Sequence, residues 1–166
     1  MLANELAALF ARDLQRLVQE LRAFPDDTTV WQVAPGVTNA AGTLALHLEG
    51  NLREFVGRHL GGLAYTRDRP LEFSARGVRR DELVARAGEV AEMVPRVIGA
   101  LADEALGATY PVPYYGASLP TRQFLMHLLA HLNYHLGQVD YLRRFATSHG
   151  AIPLAGLGEA SPTRVA

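Results

Sequence analysis

Cysteine is absent from the 166 residues of this chain, and so is lysine. Without cysteine there is no disulfide framework, zinc ribbon, thiol nucleophile or iron–sulfur cluster, because each takes its sulfur from the chain. Any transition metal must therefore be held by histidine and oxygen. Without lysine, all 16 cations are arginine, which excludes Schiff-base chemistry and lysine-dependent phosphate loops. An excess of one charge is also lacking. The 16 cations face 17 acids for a net −1, with no basic tail, so the long-range positive field that recruits nucleic acid is missing. No apolar run approaches the roughly 20 residues of a membrane span. Met1 to Gln15 carries Glu5, Arg12 and Asp13 in an amphipathic pattern, unlike the basic start, apolar middle and cleavage site of a signal peptide. The expectation is a cytoplasmic protein with neither nucleic acid nor membrane as partner.

What is present is enough for one domain with its own core: 49% of residues are hydrophobic, and a chain of this size buries roughly 70% of the surface its unfolded form exposes. Leu2, Leu6, Phe10, Leu14, Leu17 and Leu21 recur at three- and four-residue steps, which predicts a first helix of about six turns stopping before Pro25. A second helix is expected to start at Thr38-Asn39, whose side chains can cap it, and to run through Leu44, Leu48 and Phe55 to Gly61-Gly62. Residues 63–80, with Pro70, Gly77, Arg67, Arg69, Arg76, Arg79 and Arg80, read as a surface connection. Asp81 is the expected cap of a third helix from Glu82 to about Ala105, kinked at Pro95. Gly107 to Ser118 carries Tyr110, Tyr114 and Tyr115 among prolines and reads as a long aromatic loop or short hairpin. The fourth helix is expected from about Leu119 to Phe145, before a Gly- and Pro-rich tail over 147–166. Four apolar-striped helices without an alternating strand pattern predict an all-α, antiparallel four-helix bundle over residues 1–146, with long loops after helices 2 and 3.

The six histidines are His47, His59, His127, His131, His135 and His149. On the fourth helix, where each residue advances about 100°, His127 and His135 flank His131 by about 40° to either side, with Gln138 on the same stripe. The apolar residues Phe124, Leu125, Leu128, Leu132, Leu136, Val139 and Leu142 centre about 90° away. His131 and His135 therefore edge the core, and His127 faces further out. On the second helix His47 likewise edges the face formed by Leu44, Leu48 and Phe55, with Asn51 and Glu54 close to it on the wheel. A histidine pair four apart, opposite a third on a neighbouring helix, can aim three nitrogens at one point inside a bundle. His47, His131 and His135 are the candidate metal ligands. Core-edge histidines bonded to backbone or water are the alternative that spacing leaves open. His59 and His127 read as surface or supporting residues, and His149 as one without a specific role. Asn51, Glu54 and Gln138 can orient a ligand or serve structure alone.

The segment from Val37 to Phe55 (VTNAAGTLALHLEGNLREF), followed by Gly61-Gly62 and Tyr65 to Phe73 (YTRDRPLEF), resembles the DinB/YfiT-like superfamily. The run His127-Leu-Leu-Ala-His131-Leu-Asn-Tyr-His135-Leu-Gly-Gln138 is similar to that family's last-helix signature, and Trp31 before helix 2 also fits. The likeness spans roughly residues 1–146 and is nearest to a branch of unknown function. It implies a metal-binding four-helix bundle, usually homodimeric, with one ligand from helix 2 and two from helix 4, here His47, His131 and His135. Some characterised members are S-transferases or isomerases that use low-molecular-weight thiols.

Three neutral imidazoles leave the charge of a divalent ion uncompensated, so a bound water or thiol becomes acidic, with a pKa of about 7 for water in known zinc sites. Zinc, nickel, iron(II) or copper suit nitrogen ligands better than magnesium or calcium. Two functions follow. One is a metal-dependent enzyme that activates a thiol or water against a small-molecule electrophile. The other is a non-catalytic, dimeric metal- or ligand-binding module, associated with stress. A metal-free helical dimer is the reading left if the histidines diverge. Tyr110, Tyr114 and Tyr115 are candidates for a pocket wall, and the arginines between 67 and 80 for an anion receptor, with loop packing and solvation as the alternatives. Met126 and Leu129, off the main core stripe, add to the expectation of a homodimer.

Overall fold

The leading apolar stripe folds as α1 (Leu2–Arg22), burying Leu6, Phe10, Leu14, Leu17 and Leu21. The computed structural model describes residues 2–152. After α1 come a short 3-10 turn (Thr29–Trp31) and α2 (Ala41–Leu52), which continues into a π-helical stretch over Arg53–Arg58. The remaining helices are α3 (Arg69–Ser74), α4 (Arg80–Gly99), α5 (Asp103–Gly107) and α6 (Thr121–Thr147). Isolated bridges from Thr109 to Pro120 and from Tyr114 to Ala117 tie the aromatic loop into a small hairpin.

α1 and α2 each pack on both α4 and α6, and cross-helix partners give the directions. Asp13 meets Asn133 and Glu20 meets Arg143, so α1 and α6 run parallel. Arg80 reaches the Phe24 carbonyl while Gly99 lies beside Ala7, so α1 and α4 are antiparallel. Glu49 pairs with Arg86 and Arg53 with Glu89, making α2 and α4 parallel. His47 faces His131 and Phe55 faces Phe124, making α2 and α6 antiparallel. The all-α bundle thus sets two antiparallel pairs, α1–α4 and α2–α6, side by side. Parallel neighbours need a crossover that returns along the bundle, which is why the chain between α2 and α4 is long.

Several boundaries differ from those the sequence suggests. α2 begins at Ala41, and its N-cap Ala40 makes no side-chain cap bond, so Thr38 and Asn39 do not perform that role. Asp81 lies in the first turn of α4 and pairs with Arg80 instead of capping. α4 passes through Pro95 and ends at Gly99, leaving α5 as a separate turn. The segment 63–80 is more than a connection, since it contains α3. α6 ends at Thr147, and most of the expected tail, from residue 153 on, lies outside the described residues.

Every residue of α2 is buried, as expected of a helix with neighbours on all sides. Its continuation skips a carbonyl: the His59 N–H donates to Glu54 O and the Leu60 N–H to Val56 O. The Phe55 carbonyl between them instead accepts from the Tyr110 hydroxyl at 2.6 Å. That carbonyl needs a donor because an unpaired buried backbone group costs about as much as a lost hydrogen bond. Tyr110 is accordingly a structural residue, 3% exposed and packed on Phe124, with its hydroxyl pKa pushed up by burial and then by the Glu54 charge. Tyr110→Phe is expected to lower unfolding free energy by about 1–3 kcal/mol. Urea denaturation measures it, and an unchanged midpoint would mean that the Phe55 carbonyl needs no protein donor.

Candidate metal centre

His47 occupies the middle of buried α2 and is 6% exposed, while His131 and His135 project from successive turns of α6, antiparallel to it. One ligand nitrogen from each ring falls within 4.8 Å of the others, and among the described residues these three are the group of histidine or carboxylate side chains that could hold a metal ion. The rings meet nearly edge to face, with interplanar angles of 79°, 89° and 86°. His47 Nε2 lies 3.2 Å from His131 Nε2. Nitrogens bound at about 2.0–2.1 Å to one tetrahedral ion are separated by roughly 3.3 Å, so the His47–His131 pair stands at ligand spacing, and the set of three closes to within 4.8 Å. The same distance also permits the two rings to share one proton.

The outer nitrogens decide which lone pairs face inward. His47 Nδ1 lies 2.9 Å from Glu72 Oε2. A carboxylate at that position keeps the proton on Nδ1 and leaves Nε2 as an acceptor. His135 Nδ1 lies 2.7 Å from Gln138 Oε1, which has the same effect through a neutral amide. Burial first, and then repulsion from His135, His47, His127 and Arg67, pushes the His131 pKa down to about 4. Burial also lowers His135, against the opposing effect of its bond to Gln138. At neutral pH these two imidazoles are uncharged and keep the lone pairs that metal ligation requires.

Glu72 reaches His47 because α3 exists. Asp68 caps that helix by accepting from the Leu71 N–H at 2.9 Å, and Pro70 sits in its first turn. The helix directs Glu72 inward and places the Phe73 ring 4.8 Å from that of His47. Arg67 grips the same carboxylate with Nε to Oε1 at 2.6 Å and Nη2 to Oε2 at 2.9 Å, and its guanidinium lies over the Phe55 ring. Burial pushes the Glu72 carboxyl up, but the bonds and charges of Arg67 and His47 outweigh it, and the net shift is downward. Gly50 leaves room for this arrangement, since a Cβ there would overlap Glu72 Oε1.

Glu72 and its clamp Arg67 were not singled out as parts of the site by the sequence pattern. The signal available was Asp68-Arg69-Pro70, a capping residue followed by a first-turn proline. Of the other residues considered, Gln138 joins the site directly. Asn51 is buried one turn beyond His47. Glu54 binds Arg58 and His59 instead. His127 is exposed, with its ring 6.4 Å from that of His131 and 4.7 Å from that of Tyr114. Tyr115 is 92% exposed. Four of the segment's five arginines are engaged internally, Arg67 with Glu72, Arg69 over Phe73, Arg76 with two backbone carbonyls, and Arg80 with Asp81 and the Phe24 and Pro25 carbonyls, while Arg79 is exposed. These contacts account for the positions without an anion.

The sequence model of the DinB superfamily matches residues 9–139. No curated protein matches the chain. Among solved structures, a DinB-like protein from Bacillus cereus ATCC 10987 is 20% identical, with a TM-score of 0.65 over 85% of this chain and 91% of its own. The DinB-like protein YjoA from Bacillus subtilis is 16% identical, with a TM-score of 0.67 over 90% of this chain and 96% of its own. At these identities the likeness establishes the fold.

Two tests follow from the geometry. Glu72→Gln should weaken binding of a divalent ion at the histidines about 10–100-fold, with Gly50→Ala acting in the same direction; competition with a chelating dye reads both, and unchanged affinity would remove Glu72 from the site. The second concerns pH. The His131 pKa lies below its unfolded value of 6.5 at about 4, so the fold favours the neutral ring. That stability is present in full above the unfolded value and is lost as pH falls from about 6.5 through about 4. Urea midpoints of metal-free protein should drop over this interval, and less steeply in His131→Gln.

Proposed function

This chain belongs to the DinB superfamily, and from that premise we propose that it is a divalent-metal-binding protein, with His47, His131 and His135 as ligands, that activates a thiol or a water against a small-molecule electrophile. The observation that carries the reading is the convergence of three imidazole nitrogens within 4.8 Å together with outer-nitrogen partners at two of the three rings. The pairing at the outer nitrogens favours protons there and leaves the inner nitrogens of His47 and His135 as lone-pair donors. A divalent ion bound by neutral nitrogens keeps its full charge and supplies Lewis acidity, which favours the deprotonated form of a thiol or water.

The chain's own residues supply position and electrostatics. Glu72, clamped by Arg67, holds the His47 ring and selects its tautomer, and Gln138 does the same for His135. Because Arg67 balances the charge of Glu72, the centre carries no uncompensated anion that would oppose an anionic thiolate. The absence of cysteine is no obstacle, since the thiol is a cosubstrate of low molecular weight. Zinc, nickel and iron(II) are the ions that suit this donor set. Homodimerisation belongs to the same proposal and is supported by the exposure of Met126 and Tyr134 on α6; Leu129 instead packs against the core.

Protein purified without chelator should contain about one equivalent of a divalent ion by elemental analysis. His131→Ala and His135→Ala should lose most of it and His149→Ala none; equal metal in all three would overturn the centre. Metal-loaded protein should consume a small thiol in the presence of a matched electrophile faster than stripped protein. No difference across a broad panel would leave the non-catalytic module. Light scattering reporting a concentration-independent monomer mass would remove the dimer.

A further inference from the structure

One side chain away from the histidines, a groove of about 460 Å³ opens between the start of α2 and the C-terminal half of α6. Its apolar lining is Ala34, Val37, Leu44, Leu142 and Phe145, and its polar lining is Thr38, Asn39, Gln138 and Tyr141. The volume lies within the roughly 300–1,000 Å³ of small-molecule sites. Among the described residues no charged side chain lines it, so an ionic ligand would give up its hydration without a compensating partner there. Val37, Tyr141 and Phe145 remain 43%, 72% and 50% exposed, leaving apolar area that a ligand of similar character would remove from water. Thr38 and Asn39, which do not cap α2, place neutral hydrogen-bonding groups along one side. Gln138 belongs to both places: it lines the groove and accepts from His135 Nδ1.

We propose that this groove binds an uncharged, largely apolar small molecule, with Gln138, Thr38 and Asn39 as its neutral polar contacts. As a ligand site it stands independently. As the substrate site, which would make the electrophile an uncharged apolar compound, it rests on the metal-centre reading, because Gln138 is the link between groove and histidines.

The test uses the full chain and the uncharged dye N-phenyl-1-naphthylamine, with fluorescence titration before and after treatment with a chelator. Saturable uptake at one dye per chain is expected in both states. Ala34→Trp, which fills the groove, should weaken uptake about tenfold or more, equivalent to at least roughly 1.4 kcal/mol. Phe145→Ala should weaken it several-fold, and Tyr134→Ala, exposed on α6 but outside the groove, should leave it unchanged, with circular dichroism showing that each variant folds. The anionic dye 1-anilinonaphthalene-8-sulfonate should bind at least about tenfold more weakly. Non-saturable uptake, equal uptake by Ala34→Trp, or equal affinity for the anionic dye would overturn the proposal. So would a wild-type dimer that Ala34→Trp converts to a monomer, since the groove would then be an interface between copies. Dye uptake by protein that takes up no metal would sustain the groove and overturn the metal reading alone.

Discussion

Three imidazole rings drawn within 4.8 Å of one another form an arrangement that neutral rings tolerate and charged rings oppose, because each added proton repels the others at short range. Much of the local structure serves this constraint. The rings must be uncharged, which burial secures for His131 and His135. Glu72 and Gln138 stand as acceptors beside the outer nitrogens of His47 and His135, which favours protons there and turns the lone pairs inward. A carboxylate brought into this layer needs its own compensation, and Arg67 provides it through two hydrogen bonds. Taking away Arg67 would leave the buried Glu72 carboxylate with the His47 ring as its remaining hydrogen-bond partner, a costlier state than the clamped arrangement.

The same requirement explains features of α2 that helix formation alone does not call for. Gly42 and Gly50 are poor helix formers, each costing about 1 kcal/mol relative to alanine in an exposed position. At Gly50 the missing Cβ gives Glu72 its place, and at Gly42 it admits the Trp31 indole, which is itself anchored by donating to the Val78 carbonyl at 2.9 Å. The helix is thus narrowed on two sides so that neighbouring segments can approach its backbone. Just past Asn51, at Arg53, the helix passes into the π register, and Tyr110 takes over the carbonyl left between bonds.

Register between helices matters because His47 must sit opposite His131 and His135, not one turn away. Polar contacts to the buried carboxylates Asp13, Glu20 and Glu49 set the alignment of the other helix pairs. Asp13 joins Asn133 at 2.8 Å, and buried Glu20 pairs with buried Arg143, aligning α1 with α6. Glu49 binds Arg86 at 2.7 Å, aligning α2 with α4. An apolar interface tolerates sliding more readily than a buried ion pair does, since a shifted pair leaves an uncompensated charge. These contacts are more valuable for register than for net stability.

Helix type and helix face were legible in the sequence because periodicity is a local property. Leu6, Phe10, Leu14 and Leu17 point to α1, and the wheel places His131 and His135 at the edge of the apolar stripe before any neighbour is known. The exclusions that follow from missing cysteine and lysine are equally local. What remained hidden depended on residues distant in the chain. Thr38 and Asn39 look like caps for α2, yet the chain path leaves them beside a groove. Glu72 looks like one acid in a basic loop, and only the crossover between parallel helices carries it 25 positions along the chain back onto His47. Glu54 shares a wheel face with His47 but bonds to Arg58 and His59. Sequence alone therefore determined which side chains can ligate a cation and on which helical faces they lie. Tertiary structure decided which nitrogens meet and which partners hold them, because orientation at a buried site is set by packing between segments that local spacing does not encode.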